Sequence, residues 1–598
     1  MKKIIGLLLG VLCVATIGAC NTGDGQSVES VDSTESVQSS QTDGHVHTLK
    51  RVSERTATCI REGNITYWTC EECDTYYADE NGATEITKES TVLAKSAHTL
   101  TKAEGLEPTC TSKGKKESWT CSKCTKIFGD EACTVELSKI QLALDKAPHA
   151  LTHHEVVLAN GKENGVKEHW SCETCAGNFM DENGTEKVSD ATNLILYSLW
   201  NIPDFVVEVP ADRDPVVLQL SDTQIIDAAQ ARDGRTGVDY AFWATDQVEE
   251  RCYNYVKETI EATNPDFIII TGDVVYGEFD DSGTALTGFI NFMESFQIPW
   301  SPVFGNHDNE SKKGVDWQCD QFEAATYCYF KQNTVKGNGN YSVGIMQGGE
   351  LQRVFYMLDS NGCGNASQES KDNGQTMPSL TGFDQSQINW YTNHIALLKE
   401  YAPNVKLSFA YHIQQAVFGE AYAKYGFDQN DKLQGEDEKG INLDTMEGVA
   451  EGDFGFIGRQ MKGAWDANKT VYNGMKEMGV DSIFVGHEHC NSVSVVYEGI
   501  RFQYGQKSSE YDRFNCIDEN GVITGGYSKT GTSLIGGSVI VLSKEDGTIK
   551  DAYNYYCDDA GDIVTNGKIN WDYFGTNSVT VKSRALLCPM DDKRVRYC

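Results

Sequence analysis

From about residue 205 onward, short apolar runs alternate with segments of helical period, a pattern typical of a layered α/β domain. We predict five elements in the order strand, helix, strand, helix, strand, at residues 216–220, 248–262, 267–270, 288–295 and 300–304. Two later runs, 407–410 and 483–485, predict further buried strands, and short runs after residue 500 predict the completion of a second sheet. The pattern indicates an α/β domain over 205–560 and leaves the role of 561–598 unassigned.

Polar residues follow each of the five predicted strands. These clusters are Asp222-Thr223-Gln224, Gly272-Asp273, Gly305-Asn306-His307-Asp308, Tyr411-His412 and Gly486-His487-Glu488-His489. Because open α/β sheets build their sites at the carboxyl ends of strands, we expect the clusters to converge. Of the histidines after residue 200, only His394 lies outside the clusters, and its helical context predicts an ordinary packing or surface residue.

Before residue 200 the chain repeats itself every 51 residues, in three copies over 45–200. Each copy contains one histidine and one Cys-x-x-Cys pair at equivalent positions. The aligned residues are His47, Cys70 and Cys73; His98, Cys121 and Cys124; and His149, Cys172 and Cys175. A lone cysteine precedes the pair in the first two copies, Cys59 and Cys110, whereas Gly161 occupies that position in the third.

The residue types of the repeats suit a metal ion. One histidine and three cysteines in each of the first two copies would offer four ligands to tetrahedral zinc, so we predict structural zinc in small, zinc-ribbon-like modules. In the third copy His153, His154 or His169 could replace the missing cysteine, or the site could be degenerate. Disulfide bonds are the alternative, since an exported protein is free to form them.

The first 19 residues have the order of a secretory signal, with a basic start, an apolar run over 4–17 and small residues before Cys20. The segment Ile17-Gly18-Ala19-Cys20 resembles the lipobox of bacterial lipoproteins, which implies removal of a signal peptide at 1–19 and lipidation of Cys20. Residues 20–44 are polar and lack apolar anchors, so we predict a flexible tether. We expect an exported, membrane-anchored lipoprotein at the cell surface or in the periplasm.

The composition narrows the classes of partner. A chain of 598 residues with 40% hydrophobic residues is long enough for several cores. The formal charge of -36, without a cluster of Lys and Arg, argues against a nucleic-acid partner, and we expect contact with a membrane only through the lipid. Nine cysteines follow residue 200, and Cys319 with Cys328 is the pair we expect to bridge if any bridge forms.

Taken in order, the five polar clusters resemble the sequence blocks of the calcineurin-like metallophosphoesterase family: D-x-H, G-D, G-N-H-D/E, a lone H and G-H-x-H. The resemblance spans roughly residues 215–510. The segments Leu358-Asp359-Ser360 and Gln387-Ile388-Asn389-Trp390 look like connecting sequence of the purple-acid-phosphatase-like branch. The resemblance implies an αββα sandwich with mixed sheets and a pair of divalent or trivalent ions, of Mn, Fe or Zn, that acts on phosphate esters.

The resemblance also implies which residues hold the two ions. The implied ligands are Asp222, Asp273 and His489 for the first ion, and the bridging Asp273 with Asn306, His412 and His487 for the second. Carboxylate, amide and imidazole groups suit transition-metal ions, and one carboxylate can bridge two ions about 3.5–4 Å apart. Such a pair clamps phosphate oxygens and makes hydroxide available for in-line attack on phosphorus.

Three further positions complete the implied site. His307 resembles the family's non-ligand histidine, which stabilises charge on the transferred group or protonates the leaving oxygen, and Asp308 beside it is a second candidate catalytic residue. Gln224 stands where most of the family has histidine. Its amide oxygen could ligate the first ion, bind a water on that ion, or leave the ion more open.

These patterns predict an exported, lipid-anchored, dinuclear-metal phosphoesterase that hydrolyses phosphomonoesters or phosphodiesters. The alternative is a surface binding or adhesion protein, whose repeats contact a cell-surface ligand and whose phosphoesterase fold is weakly active or inactive. A metal-storage or redox role of the cysteines is a third reading. An inactive phosphoesterase domain should lack Asp273, Asn306 or His307, and this chain retains all three.

Overall fold

The computed structural model describes residues 41–42, 45–232, 245–362, 382–428, 440–458, 464–526, 531–557 and 563–574. The chain divides into two compact units, one of residues 1–152 with 171–177 and the other of residues 153–170 with 178–598. The predicted signal peptide, Cys20 and nearly all of the predicted tether lie outside the described residues. Within those ranges, no helix combines the length and the apolar character needed to cross a membrane.

The first two repeat copies have the same strands, as their shared sequence predicts. Each contains a four-stranded antiparallel sheet and a two-stranded ribbon. The sheet strands are Leu49–Val52, Tyr67–Cys70, Tyr76–Tyr77 and Glu85–Ile86 in the first copy, and Leu100–Ala103, Ser118–Cys121, Ile127–Phe128 and Glu136–Leu137 in the second. The ribbons pair Gly63–Asn64 with Val92–Leu93 and Gly114–Lys115 with Ala143–Leu144.

The glycine that recurs in every copy lies where the ribbon passes close to backbone. A Cβ atom at Gly63 would lie 2.2 Å from the carbonyl oxygen of Arg55, and one at Gly165 would lie 2.1 Å from that of Val157. Only glycine fits such an approach. The strands of the third copy are Leu151–His154, Gly165–Val166, His169–Cys172, Gly177–Phe179 and Ile195–Leu196.

The second unit contains the predicted α/β domain, and its elements are numbered from residue 205. Its strands are β1 Phe205–Val209, β2 Val216–Leu220, β3 Phe267–Ile270, β4 Trp300–Pro302, β5 Tyr341–Gln347, β6 Glu350–Met357, β7 Lys406–Ala410, β8 Ile441–Asn442, β9 Phe454–Ile457, β10 Val480–Val485, β11 Ser492–Tyr497, β12 Ile500–Tyr504, β13 Phe514–Ile517, β14 Ile523–Gly526, β15 Thr532–Leu534, β16 Gly536–Leu542, β17 Ile549–Tyr556, β18 Val564–Thr565 and β19 Lys568–Ile569. Its helices are α1 Ala228–Arg232, α2 Asp246–Thr263, α3 Thr284–Glu294, α4 Val315–Ala324, α5 Gln385–Tyr401, α6 Val417–Ala423 and α7 Thr470–Glu477.

A five-stranded sheet carries the first three polar clusters. Its order is β4-β3-β2-β16-β17, and β2, β3 and β4 run parallel, so their carboxyl ends share one edge. The strands predicted at 216–220 and 267–270 coincide with β2 and β3. The strand predicted at 300–304 ends earlier, at Pro302, which has no N–H to donate to a ladder.

A nine-stranded mixed sheet carries the last two clusters. Its order is β1-β5-β6-β7-β10-β12-β11-β9-β8, and β7 runs parallel to β10. The two sheets face each other, because the rings of Phe267 in β3 and Phe355 in β6 lie 5.7 Å apart in one shared core. Helices α2 and α3 pack in that core beside the five-stranded sheet, and α5, α6 and α7 pack in the core of the nine-stranded sheet. The predicted α/β sandwich with mixed sheets is therefore confirmed.

The described fold continues past residue 560. Strands β18 and β19 form a hairpin, and their Val564 and Ile569 are buried in a cluster with Ile517, Leu534 and Tyr556. Residues 575–598 lie outside the described residues. The described part of segment 561–598, whose role the sequence left unassigned, is therefore packed within the second unit.

Cys319 and Cys328, the pair expected to bridge if any did, are both buried free thiols. Burial raises the pKa of Cys319 to about 12, which keeps its thiol protonated and unreactive. His394 is a packing residue as predicted, since its two ring nitrogens lie 2.8 Å from the hydroxyl of Tyr356 and 2.8 Å from the carbonyl oxygen of Ile202.

Candidate active site

The polar clusters of the two sheets meet at one edge of the sandwich. From the nine-stranded sheet, Nε2 of His412 lies 3.2 Å from Oδ2 of Asp273 on the five-stranded sheet. Likewise, Nε2 of His489 lies 3.5 Å from Oδ1 of Asp222. The convergence expected from parallel strand ends is present.

The glycines of the motifs allow this close approach. A Cβ atom at Gly305 would lie 2.1 Å from Oδ1 of Asp273, and one at Gly272 would lie 2.5 Å from Nδ1 of His412. Any larger residue at either position would displace one of these two side chains. The Gly-Asp and Gly-Asn-His patterns thus follow from packing around the carboxylate of Asp273.

Four residues of the site have left-handed backbone conformations that side chains rarely adopt. The φ angles are 51° at Asp222, 44° at Gln224, 51° at Asp273 and 77° at His487. Each such residue costs on the order of 1–3 kcal/mol and persists only where its surroundings fix it. Backbone hydrogen bonds contribute here, for example from the N–H of Gln224 to the carbonyl oxygen of Asp273 at 2.8 Å. Strain of this kind concentrates at functional sites.

Asp222, Asp273 and His489 form a first ligand group. One potential ligand atom from each lies within 4.8 Å of the others. The Nδ1 atom of His489 lies 2.9 Å from Oδ2 of Asp512, a residue that the sequence did not single out. A carboxylate at Nδ1 leaves Nε2 as the ligand nitrogen and holds the ring in place. The group contains the three residues that the resemblance implied for the first ion.

Asn306, His412 and His487 form a second group next to Asp273. Oδ1 of Asn306 lies 3.0 Å from Nε2 of His412 and 2.8 Å from Nδ1 of His487. His412 donates from Nδ1 to the carbonyl oxygen of Thr271 at 2.8 Å, so its Nε2 is available as a ligand. This is the ligand set implied for the second ion, with Asp273 shared between the two groups.

The donor set fits a pair of metal ions. Oδ2 of Asp273 is buried and receives no well-directed hydrogen bond from the described residues, although Nε2 of His412 lies 3.2 Å away. A buried carboxylate oxygen without a donor is costly unless a cation binds it. Carboxylate, amide and imidazole groups around that atom are ligands that Mn, Fe and Zn accept.

The charges of the site keep Asp273 and His487 in the forms that bind metal ions, whereas His412 carries a proton that a metal ion would displace. Burial raises the pKa of Asp273, but the positive charges at His412 and His307 outweigh it and hold the pKa below its ordinary value. Burial and the positive charge at His412 lower the pKa of His487 to about 3, so its imidazole is neutral. Against the effect of burial, Asp273 and Asp222 raise the pKa of His412 to about 9. The site therefore attracts positive charge, whether a proton or a metal ion.

The amide oxygen of Gln224, beside the first group, accepts a hydrogen bond from a buried lysine. Nζ of Lys507 donates to Oε1 of Gln224 at 3.0 Å, to the carbonyl oxygen of Asp222, and to the hydroxyl of Ser509 at 3.3 Å. Lys507 is 1% exposed. The role of Gln224 as a metal ligand stays a prediction. Sequence reasoning missed Lys507, whose one signal was a charged residue close behind the buried strand β12.

His307 lies beside the ligand groups and is held from two sides. Its N–H donates to Oδ1 of Asp273 at 2.8 Å, and its ring Nδ1 lies 2.8 Å from Oε2 of Glu310. The ring of Tyr276 packs 4.2 Å from its own. Glu310 was not predicted, although its position three residues after the histidine was readable in the sequence.

Asp308 has a structural role in the described fold, and its catalytic role stays a prediction. Its carboxylate accepts hydrogen bonds from the N–H groups of Asp273 at 3.0 Å, Gly305 at 2.7 Å and Val275 at 3.1 Å. Burial raises its pKa to about 7. Because its oxygens face backbone donors of two loops, Asp308 fixes the loops that carry Asp273 and Asn306.

A pocket opens over the two ligand groups. Its lining residues are Asp273, Asn306, His307, His487, Glu488, His489, Cys490, Asp512 and Arg513. The guanidinium group of Arg513 lines the pocket, and its Nε lies 3.8 Å from Oδ2 of Asp512. A guanidinium beside a metal site is suited to binding phosphate oxygens. No sequence motif pointed to Asp512 or Arg513, which follow Ser508 and Ser509.

The ligand-type residues of the repeats form three groups, each with its ligand atoms within 4.8 Å of one another. The groups are His47, Cys70 and Cys73; Cys59 with His98, Cys121 and Cys124; and Cys110 with His149, Cys172 and Cys175. Each lone cysteine joins the next copy, so our assignment of four ligands within one copy is wrong. His153, His154 and His169 are absent from the third group, and His153 instead pairs with Glu168 at 2.8 Å.

Comparison with known proteins agrees with this geometry. Residues 215–491 match the family model described as Calcineurin-like phosphoesterase. Phosphatase DCR2 of Saccharomyces cerevisiae is 22% identical over 306 residues, which cover 48% of this chain and 48% of that protein. Probable inactive purple acid phosphatase 29 of Arabidopsis thaliana is 24% identical over 283 residues, 42% of this chain and 61% of that protein. The chain thus spans about half to three-fifths of the length of these relatives.

Solved structures with a similar chain include a dimetal phosphatase from Danio rerio, at a TM-score of 0.30 and 12% identity over 54% of this chain and 98% of that one. Another is the purple acid phosphatase PPD1 from yellow lupin seeds, at a TM-score of 0.26 and 11% identity over 82% of this chain and 79% of that one. The family match includes every residue of the two ligand groups in the second unit. Residues 215–491 thus match the calcineurin-like phosphoesterase model and lie in a domain with the mixed-sheet metallophosphoesterase fold.

Proposed function

We propose that this chain is an exported, lipid-anchored phosphoesterase that uses two metal ions to hydrolyse phosphomonoesters or phosphodiesters. The observation that carries the proposal is the position of Asp273. Its buried Oδ2 receives no well-directed hydrogen bond from the described residues, and its carboxylate belongs to one ligand group while lying 3.2 Å from Nε2 of His412 in the other. A single carboxylate shared in this way suits a bridge between two ions.

The side chains around the pocket have distinct roles in this proposal. A pair of ions bound there would polarise the phosphate oxygens and lower the pKa of a water. Arg513 would bind a phosphate oxygen, and His307, whose Nδ1 faces Glu310, would present Nε2 to the leaving oxygen. Asp512 would keep Nε2 of His489 directed at the ligand group.

The test is hydrolysis of para-nitrophenyl phosphate and bis-para-nitrophenyl phosphate by the purified chain supplied with Mn, Fe or Zn. Metal-dependent turnover should be lost in Asp273→Asn and His307→Ala. The control variants Asp551→Asn and His153→Ala change exposed residues outside the pocket and should keep full activity. The ratio of the two rates would separate a monoesterase from a diesterase.

A second candidate function has one structural observation in its favour. Lys507 donates a hydrogen bond to the amide oxygen of Gln224 beside the first ligand group, and its positive charge opposes the binding of a metal ion there. Several of the plant relatives are described as probable inactive purple acid phosphatases. If the folded chain shows no turnover with any metal, the domain is a scaffold and the repeats would perform binding or adhesion at the cell surface.

Export rests on the sequence alone. The charged start, the apolar run and the Ile17-Gly18-Ala19-Cys20 segment support a lipid anchor at Cys20, and the polar residues after it support a tether. The proposed location is the outer face of a membrane or the periplasm. Two acyl chains on one cysteine are sufficient for stable anchoring in a membrane.

A further inference from the structure

We propose that the repeat array binds zinc ions between consecutive copies, so that each ion links one copy to the next. The first such site consists of Cys59 from copy one with His98, Cys121 and Cys124 from copy two. The second consists of Cys110 from copy two with His149, Cys172 and Cys175 from copy three. The proposal concerns the repeats and is independent of the phosphoesterase activity.

The distances at the first site fit tetrahedral zinc. Zinc with bonds of about 2.3 Å to sulfur and about 2.0–2.1 Å to nitrogen separates two sulfurs by about 3.8 Å and a sulfur from a nitrogen by about 3.6 Å. The Sγ atoms of Cys59 and Cys121 lie 3.8 Å apart, and Sγ of Cys124 lies 3.5 Å from Nδ1 of His98. A disulfide would need about 2.05 Å between the sulfurs.

The second site repeats this geometry with different residues. The Sγ atoms of Cys110 and Cys172 lie 3.9 Å apart, and Sγ of Cys175 lies 3.5 Å from Nδ1 of His149. Three thiolates and one imidazole are the ligands of a closed structural zinc site. Two independent sets of residues thus reach the same arrangement.

A tight turn carries each lone cysteine across the boundary between copies. Cys59 lies in a turn closed by the N–H of Thr58 donating to the carbonyl oxygen of Arg61 at 2.8 Å. The carbonyl oxygen of Thr58 accepts the N–H of Ser96 at 3.2 Å, shortly before His98. The backbone therefore docks the turn of copy one against the segment that begins copy two.

The same contacts recur one copy later. The N–H of Thr109 donates to the carbonyl oxygen of Ser112 at 2.9 Å, which closes the turn around Cys110. The carbonyl oxygen of Thr109 accepts the N–H of Ala147 at 3.1 Å, shortly before His149. Since an identical backbone contact positions both cysteines, the sharing of ligands is a property of the repeat.

The third turn explains where the array ends. Gly161 occupies the position of the lone cysteine at φ +56°, and no described atom lies within 4 Å of the place a Cβ would take. Asn160 and Glu163 close the turn by mutual backbone hydrogen bonds of 3.0 Å. The third copy keeps the turn but has no ligand to donate to a following copy, and no fourth copy follows in the sequence.

Metal binding should hold the array together. The apolar cluster at the first site contains Cys59, Cys121 and Phe128 as its buried residues, and modules with so small a core depend on a metal or a crosslink. Because the ligands come from two copies, an ion contributes its binding free energy to the contact between them. Without the ion, each copy would lose the partner that completes its site.

The test uses paired variants of the full chain, loaded with zinc under reducing conditions and dialysed against a chelator. The measured quantity is zinc released when the thiols are mercurated, which reports thiolate-bound ions and not ions held in the second unit. Cys110→Ser should lose one zinc per chain. Adding His149→Ala should cause no further loss, whereas adding His98→Ala should remove a second zinc. Cys133→Ser, a cysteine outside all three groups, should lose none.

Two results would overturn the proposal. If the sites lay within single copies, the pattern would reverse, and His98→Ala would add nothing to Cys110→Ser while His149→Ala would remove a second zinc. The second is a chain that binds no thiolate zinc and shows Cys59–Cys121 and Cys110–Cys172 disulfides by mass spectrometry. Circular dichroism of each variant distinguishes loss of one site from loss of the fold.

Discussion

Oε2 of Glu310 lies 2.8 Å from Nδ1 of His307, and both side chains are buried at the edge of the pocket. A carboxylate in this position fixes the orientation of the imidazole, sets which nitrogen carries the proton, and stabilises the imidazolium. Glu310 is thereby a positioning residue for His307.

The variant Glu310→Gln keeps the size of the side chain and removes its charge. We expect kcat to fall roughly 10–100-fold with little change in KM, since second-sphere partners of this kind carry effects of that size. The pH profile of kcat should also move to lower pH, because the imidazolium loses its stabilising anion. Glu261→Gln, on the exposed face of α2, is the control, and an unchanged pH profile in Glu310→Gln would contradict the positioning role.

Asp308→Asn separates a structural role from a chemical one. An amide in place of the carboxylate would turn an N–H₂ group toward the backbone N–H donors of Gly305 and Asp273. We expect the free energy of unfolding to fall by about 1–3 kcal/mol, measured by urea denaturation. The folded variant should retain most of its turnover at low temperature. Full stability with lost turnover would instead support the catalytic role predicted from the sequence.

Lys507→Met removes the buried charge beside the first ligand group and releases the oxygen of Gln224. Removing a unit charge a few ångströms from a bound cation is worth about 1–3 kcal/mol at an effective dielectric constant of about 20, so the affinity for the first ion should rise on the order of tenfold. Calorimetric titration with Mn measures it. Lys257→Met, an exposed lysine on α2, should leave the affinity unchanged. Weaker binding in Lys507→Met would show that the lysine supports the site.

The lipid anchor predicts that Cys20→Ala moves the protein from the detergent phase to the aqueous phase on phase partitioning, because the variant has no thiol to acylate. Cys13→Ala is the matched control, since Cys13 lies within the apolar run and should leave partitioning unchanged. Retention of Cys20→Ala in the detergent phase would exclude this cysteine as the anchor.

The central part of the site was predictable because strand ends are local features. The apolar runs that became β2 and β3 fix where Asp222 and Asp273 leave the sheet, and parallel neighbours place both at one edge. The ordered blocks added the partners from the second sheet. Each of these inferences needed only the sequence near one strand.

The remaining parts depend on contacts between distant segments. Lys507 and Gln224 are 283 residues apart in the sequence, and no motif near either residue predicts their contact. The same holds for Asp512 and His489, which pair across the pocket. In the repeats, an internal period reveals which residues are equivalent but not which neighbour supplies a ligand, so Cys59 was assigned to its own copy instead of the next.

The most direct test of the account is electron paramagnetic resonance of the full chain loaded with Mn. If Asp273 is shared by two ions, the spectrum at saturating Mn should be that of an exchange-coupled pair. Asp273→Asn should abolish the coupling, while Asp551→Asn should retain it. A spectrum of isolated Mn ions at saturation, in the folded wild-type chain, would contradict the dinuclear site.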